Sequence, residues 1–281
     1  IDALLVDLFD VGTRIYTYAA TLLLCLAACA EAGVPVLVLD RPNPLGGETT
    51  EGPVLDHPAF ASYLGMVPIP LRHGLTLGEL ARFGNGRFGC PAADLTVVPL
   101  AGWRRSMTWE ETGLPWVMPS PNMPTVESAT VYPGQVLLEG TNLSEGRGTT
   151  RPFELLGAPW LDGVALADEL NGQELPGVRF RSVHFCPAFS KFAGHECSGV
   201  QLHVFDRGRY RPVATTVALL AVVIAARSAD FRFHERYFDC LAGGAALRSE
   251  LQAGRPAQEI VRSWDEENRR FAAEARRFLL Y

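Results

Sequence analysis

The chain has 281 residues, of which 48% are hydrophobic and 20% charged, and it carries a net charge of −6. Such a length and balance describe a folded globular protein with one large core or two modest ones. An acidic chain with no concentrated basic face argues against a nucleic-acid partner. The longest apolar helical run, from Val213 to Ala226, is shorter than the roughly 20 residues that a membrane span needs.

The first elements alternate strand and helix. Ala3 to Leu8 is a short apolar run predicted as a strand, and a turn from Asp10 to Tyr18 leads into a Leu- and Ala-rich helix, Ala19 to Ala32, that Gly33 closes. Pro35 to Leu39 is a second strand, ending at Asp40-Arg41-Pro42-Asn43-Pro44. Near-continuous apolar strands joined by a helix predict a parallel sheet covered on both faces. Pro53 to Tyr63 is irregular. A strand follows at Val67 to Leu71, then Arg72-His73-Gly74, then a helix for which Thr76 and Glu79 have the spacing of a capping box. Leu95 to Leu100 is a further strand, and Trp103 to Thr112 is expected to be helical. Prolines 115, 119, 121, 124 and 133 then hold an extended stretch, with a helix around Ser128 to Tyr132.

The next segment, Glu139-Gly140-Thr141-Asn142-Leu143-Ser144-Glu145-Gly146-Arg147-Gly148, concentrates carboxylates, a guanidinium and glycines after the apolar Val136-Leu137-Leu138. It reads either as a solvated loop held by an internal Glu–Arg pair or as part of a site. After Pro152 the style changes, so the expected domains are 1–152 and 153–281. The second contains a helix at Val164 to Asn171, an alternating strand at Val178 to Phe185, another strand at Val200 to Phe205, a buried helix at 215–227 and a polar helix from Gln258 to Leu279. It is an α+β region.

Ligands of an open parallel sheet bind beyond the carboxyl ends of its strands. Those ends carry Asp7, Asp10 and Arg14, then Asp40, Arg41 and Asn43, then Arg72 and His73. Glu139 to Arg147 likewise follows an apolar run. Together they predict a polar small-molecule cleft. No Walker-type loop, Gly-x-Gly-x-x-Gly or Gly-x-Ser-x-Gly is present, so no nucleotide cofactor or hydrolase elbow is expected. The histidines and cysteines lack metal-ligand spacing, and His195-Glu196-Cys197 reads as structural. Cys25 and Cys29 read as core, and a Cys186–Cys197 pairing is left open. Lys191 is the only lysine, which confines any Schiff-base chemistry to that position. Carboxylates and arginines remain as the chemical stock. Paired carboxylates suit glycoside hydrolysis, arginine suits a sugar bearing a carboxylate, and Trp103, Trp109, Trp116 and Tyr16 can offer ring faces for stacking.

The runs Asp10-Val11-Gly12-Thr13-Arg14, Leu39-Asp40-Arg41-Pro42-Asn43-Pro44, Glu51-Gly52-Pro53, Arg72-His73-Gly74-Leu75-Thr76, Pro119-Ser120-Pro121-Asn122-Met123-Pro124-Thr125 and Glu139 to Gly148 resemble those of the bacterial exo-β-N-acetylmuramidase family, long catalogued as a domain of unknown function. The similarity continues through Lys191-Phe192-Ala193-Gly194 and Leu202 to Arg207 to the final Tyr281. The resemblance implies an α/β fold, a Rossmann-like, mostly parallel domain joined to a smaller α+β domain, with the active-site cleft between them. It implies removal of N-acetylmuramic acid from the non-reducing end of peptidoglycan fragments in cell-wall turnover and recycling, with no cofactor and no metal. The expected partner is a muramic-acid sugar, without a nucleic acid or a membrane span, in a periplasmic or secreted setting. Oligomeric state is left open.

On this reading Glu51, Glu139 and Glu145 are the acid/base or water-positioning candidates. Arg14, Arg41, Arg72 and Arg147 would grip the substrate carboxylate or hold those glutamates. Asp10, Tyr16, Asp40, Asn43, His73, Asn122 and Asn142 complete the expected substrate contacts. Two departures stand out. Members of the family usually carry further strand–helix units at the N-terminus, including a Pro-Glu-His-Gly motif whose glutamate is a leading candidate for the catalytic acid; here the chain opens directly on a strand, as an N-terminally incomplete member would. Phe9 also stands where relatives commonly have Gln. The alternative expectation is a catalytically inactive carbohydrate-binding protein or an inactive truncation.

Overall fold

The computed structural model describes residues 1–227 and 229–281 and is mixed α/β. By its contacts the chain forms two units: Ile1–Pro115 with Glu266–Tyr281, and Trp116–Asp265.

In the first unit β1 (Leu4–Val6), β2 (Val36–Leu39) and β5 (Leu95–Val98) form a parallel sheet in the order β1-β2-β5, with Leu4 opposite Val36 and Val38 opposite Val97. Helix α1 (Tyr18–Ala32) connects β1 to β2 and stops where Gly33 turns left-handed at φ 66°, its N–H bonding back to Ala30 and Cys29. Glycine takes that conformation without the Cβ penalty. Helix α2 (Leu77–Gly84) starts on the expected capping box: Thr76 accepts from Glu79 N, and Glu79 accepts from Thr76 N. Leu22, Leu26, Leu80 and Phe83 of these helices bury Val6, Val36 and Val38, and Phe271 and Ala275 of the last helix, α9 (Asp265–Ala275), join the same core. The sheet is not covered on both faces as expected. Successive strand residues point to opposite sides, and Leu5 and Val98 on the second side are exposed.

Glu51–Val54 forms β3 and pairs antiparallel with β4 (Pro70–Arg72), placing Glu51 directly opposite Arg72; Thr13 bridges to Arg72 from the other side. The sequence conceals β3 because Gly52 and Pro53 are poor strand formers. Trp103 to Thr112 is not a helix. Only Glu110–Thr112 forms a 3-10 turn, because long-range bonds claim this stretch: Arg105 spans Glu79 Oε1 and Oε2 at 2.8 and 2.9 Å and bonds the carbonyls of Gly47 and Gly74.

Asp40, at the carboxyl end of β2, shows how tightly this unit is tied. Its Oδ1 accepts from Gly78 N (2.8 Å) and Arg41 N (3.0 Å), and its Oδ2 accepts from Thr76 Oγ1 (2.6 Å) and Tyr281 Oη (2.8 Å). A carboxylate offers about four acceptor positions, so all are used by the protein. Any Cβ on residue 78 would lie 2.7 Å from the Asp40 carboxyl carbon, which is why glycine stands there. Asp40→Ala strands several buried donors and is expected to cost on the order of 3 kcal/mol, read as a lower urea midpoint with an unchanged slope.

The second unit is built on an antiparallel sheet in the order β6-β8-β7, from β6 (Leu155–Ala158), β7 (Val178–Phe185) and β8 (Cys197–Val204). Against it lies α4 (Gly163–Gly172), capped by Asp162. Helices α3 (Val126–Gln135) and α5 (Pro212–Arg227) approach closely at Gly134, where any side chain would collide with the Pro212 carbonyl. Helices α6 (Glu235–Ala242), α7 (Ala246–Gln252) and α8 (Ala257–Ser263) complete it. The expected polar helix from Gln258 to Leu279 is broken at Trp264, whose ring is buried, and continues as α9. No helix among the described residues is long and apolar enough to cross a membrane. All six cysteines are free, so Cys186 and Cys197 are not paired.

Candidate active site

In the first unit the turn after β1 folds onto β4, with Arg14 N bonding the Leu71 carbonyl at 2.9 Å. This brings Asp10, Arg14, Asn43, Glu51, Arg72 and His73 into one buried polar cluster. Opposite residues of an antiparallel pair share a face, so Glu51 and Arg72 lie side by side. Gly12 turns left-handed at φ 73° and donates to Asp10 Oδ2 at 2.8 Å; any side chain on it would collide with Asn43. Asn43 donates to the Leu75 carbonyl and accepts from Leu45 N, both at 2.9 Å. Arg14 Nη1 braces the Pro53 and Ile69 carbonyls at 2.9 and 2.8 Å, and Arg72 Nη2 bonds the Leu45 carbonyl at 2.6 Å.

Asp10 and His73 carry the chemistry of this cluster. His73 Nδ1 accepts from Leu75 N at 3.1 Å, which leaves its proton on Nε2, 3.9 Å from Asp10 Oδ2. Burial, reinforced by the charges of Arg14 and Arg105, pushes the imidazole pKa down to about 3, so the ring is neutral. Burial pushes Asp10 up to about 7 against the Gly12 hydrogen bond, and pushes Arg14 down to about 9. Asp10 Oδ1 and His73 Nε2 are buried without a protein hydrogen bond. Both atoms can therefore bond a water or a polar ligand.

In the second unit the Glu139 to Gly148 segment is largely buried rather than solvated, and its internal Glu–Arg pair is present. Arg147 donates to Glu139 Oε1 from Nη2 at 2.6 Å and from Nε at 3.2 Å, and its guanidinium lies over the Phe153 ring at 4.9 Å. Tyr237 Oη donates to Glu139 Oε2 at 2.9 Å. Glu145 is fully buried, with Oε1 3.5 Å from Arg147 Nε and Oε2 3.0 Å from Lys191 Nζ. Two carboxylates therefore face two cations. Burial lowers the Arg147 pKa, but Glu139, Tyr132 and Glu145 outweigh it and the net shift is upward. Burial lowers Lys191, partly offset by Glu145, and burial with Glu139 raises Tyr237.

The remaining expected residues fall outside these clusters. Asp40 is saturated as described. Arg41 forms an exposed pair with Asp7 at 2.6 and 2.9 Å. Tyr16 is buried edge-on to Tyr18. Asn122 is half-buried in the turn before α3. Asn142 staples its loop to the 230–232 backbone, donating to the Asp230 carbonyl and accepting from Arg232 N. Trp103 and Trp109 are buried, Trp109 stacked on Phe9, so neither offers a free ring face. Lys191 and Tyr237 were not foreseen as parts of the site. For Lys191 its being the sole lysine was a signal; Tyr237, on a helix the sequence did not reveal, gave none. Among the described residues no three His, Cys, Asp or Glu side chains converge as a metal site requires.

Fold and clusters together define a mixed α/β protein whose buried carboxylates, arginines and neutral imidazole suit acid/base chemistry on a polar, anionic small molecule. Residues 1–127 match the family model of the exo-β-N-acetylmuramidase NamZ N-terminal domain, and residues 130–281 match that of its C-terminal domain. The chain is 46% identical over 282 aligned residues to the peptidoglycan β-N-acetylmuramidase NamZ of Bacillus subtilis strain 168, covering all of this chain and 68% of that protein. Crystal structures of two DUF1343 family proteins from Bacteroides fragilis superpose with TM-scores of 0.91 and 0.80 at 32% and 30% identity, each covering all of this chain and 75% of the other. The chain belongs to the exo-β-N-acetylmuramidase NamZ family.

Proposed function

We propose that this chain is a glycoside hydrolase that releases N-acetylmuramic acid from the non-reducing end of peptidoglycan fragments, in bacterial cell-wall turnover. The observation that carries the reading is the match to a peptidoglycan β-N-acetylmuramidase along the whole chain. The clusters supply the chemistry such a reaction needs. Glycoside hydrolysis takes a proton donor for the leaving oxygen and a second carboxylate to activate water or attack carbon. Asp10, whose carboxyl keeps its proton to about pH 7, is suited to donate. This role differs from the substrate contact its position in the sequence suggested. The neutral His73 N–H, which lacks a protein acceptor, suits a sugar oxygen. Glu51, in the same cluster, is the candidate second carboxylate of the first unit, and Glu139 is the candidate carboxylate of the second unit, each taken by itself. Arg147, held flat by Glu139 and Phe153, suits the lactyl carboxylate of the sugar. We read the parallel sheet with α1 and α2 as Rossmann-like, a reading supported by its strand–helix–strand order and by the polar residues beyond its strand ends.

The test compares a chromogenic β-N-acetylmuramide with the matching N-acetylglucosaminide, which lacks the lactyl carboxylate. We expect turnover of the first and a rate on the order of 100-fold lower on the second, because the latter lacks the carboxylate that Arg147 would bind. Equal rates on both, or no turnover of the first, would sink the assignment. Nothing in either cluster favours a binding protein without catalysis.

A further inference from the structure

The β7–β8 connection, residues 186–196, is much longer than the roughly two to five residues of a usual hairpin loop, and it is ordered by specific contacts. Ala188 N donates to the Gly148 carbonyl and Gly194 N to the Pro187 carbonyl, both at 2.8 Å. Gly148, left-handed at φ 81°, has no room for a side chain against the Phe189 backbone. The strap is thus clamped onto the segment that carries Arg147. At its centre stands the chain's one lysine, flanked on both sides by non-glycine residues in the left-handed region, Ser190 at φ 73° and Phe192 at φ 57°. L-residues avoid that conformation, a ring-bearing one especially. These two exceptions, one on each side of Lys191, imply that the surrounding contacts fix the backbone that presents it.

The ammonium donates to Leu138 O at 2.7 Å and Leu143 O at 2.9 Å and forms an ion pair with Glu145 Oε2 at 3.0 Å. All three contacts are to groups of the protein itself, so the ammonium is committed to holding this segment. Glu145, fully buried, turns its other oxygen toward Arg147 Nε at 3.5 Å, and Arg147 in turn grips Glu139. We propose that Lys191 and Glu145 are positioning residues: the strap delivers Lys191, Lys191 fixes Glu145 and both ends of the 138–143 turn, and Glu145 fixes the Arg147–Glu139 pair that meets the sugar. This removes Glu145 from the candidate acid/base groups and rests on the reading of Arg147 and Glu139 as substrate-facing. Arginine is a poor substitute at position 191, because its planar fork is larger and shaped differently from the compact ammonium that contacts Leu138 O, Leu143 O and Glu145 Oε2.

The test is a double-mutant cycle of Lys191→Met with Glu139→Gln on the chromogenic β-N-acetylmuramide, with unfolding followed alongside. If Lys191 acts through the Arg147–Glu139 pair, K191M lowers kcat/KM by on the order of tenfold or more, and K191M/E139Q is no worse than E139Q alone. A purely structural lysine would lower the melting temperature and give losses that multiply, and that result overturns the proposal, as does wild-type activity in K191M. Should K191M not fold, Lys191→Arg, which keeps the charge, takes its place in the same cycle with the same two readings. Full activity of E139Q would instead show that the underlying assignment of Glu139 has failed, and the proposal with it.

Discussion

Glu139→Gln is expected to lower kcat on a β-N-acetylmuramide by on the order of 100- to 10,000-fold, the range for loss of a positioned acid/base group. Glutamine keeps the shape, and its one carbonyl oxygen can still accept from Arg147, whose bond to Glu139 is 2.6 Å, while its NH2 can donate to the Tyr237 hydroxyl, which bonds Glu139 at 2.9 Å. What it removes is the charge and the ability to take a proton. The exchange breaks one partly buried ion pair, so the stability loss should be modest, about 1 kcal/mol, far below the change in rate. Arg147→Lys separates binding from chemistry. A lysine cannot reproduce the two-nitrogen contact to Glu139 or the stacking over Phe153. It should therefore raise KM for the muramide more than it lowers kcat. Near-wild-type kcat in E139Q would remove Glu139 from the chemistry.

Asp10→Asn carries the second large effect. A proton donor with a pKa of about 7 gives a rate that falls above neutral pH, and the asparagine variant should lose both that limb and, on the order of 100-fold, the rate. Stability gives an independent check with a definite sign. Asp10 is raised on folding, so its contribution is fully present below about pH 4 and is lost as pH climbs toward 7, about 4 kcal/mol in all. His73 is depressed to about 3, so its contribution is fully present above about pH 6.5 and is lost as pH falls. Between about pH 4 and 6.5 these two slopes oppose each other. In D10N the His73 slope stands alone, and stability should rise with pH across that window. In His73→Asn it should fall. Urea midpoints at several pH values decide the matter, and the same slope in both variants would contradict the paired burial of these groups.

Sequence and structure agree where local chemistry decides. The stop at Gly33, the Thr76–Glu79 capping box and the alternation from Val178 to Phe185 need only neighbouring residues, and all three are present at those positions. Elements that depend on distant partners were hidden. β3 contains Gly52 and Pro53 and exists because β4 pairs with it, Glu51 opposite Arg72. The stretch from Trp103 to Thr112 has helical composition, but Arg105 is drawn out to Glu79 and two carbonyls. The 257–279 region keeps its helical period across a break that only burial of Trp264 explains.

The candidate site divides along the same line. Residues that follow apolar strands were legible, because strand ends present polar groups whatever the fold's details. Which of them are free for chemistry was not. Asp40, Asn43 and Asn142 look like sugar ligands in sequence and spend their hydrogen bonds on backbone and cap groups. Asp10 became prominent only through burial, and Lys191 reaches Glu145 from 46 positions away because the strap between β7 and β8 folds back.

The central claim is exo-hydrolysis of N-acetylmuramic acid, and the most direct measurement is mass spectrometry of peptidoglycan-derived oligosaccharides after incubation with the protein. Fragments with N-acetylmuramic acid at the non-reducing end should lose that one sugar, and fragments ending in N-acetylglucosamine should remain intact. Cleavage within the chain, or release of N-acetylglucosamine from the second set, would contradict the account.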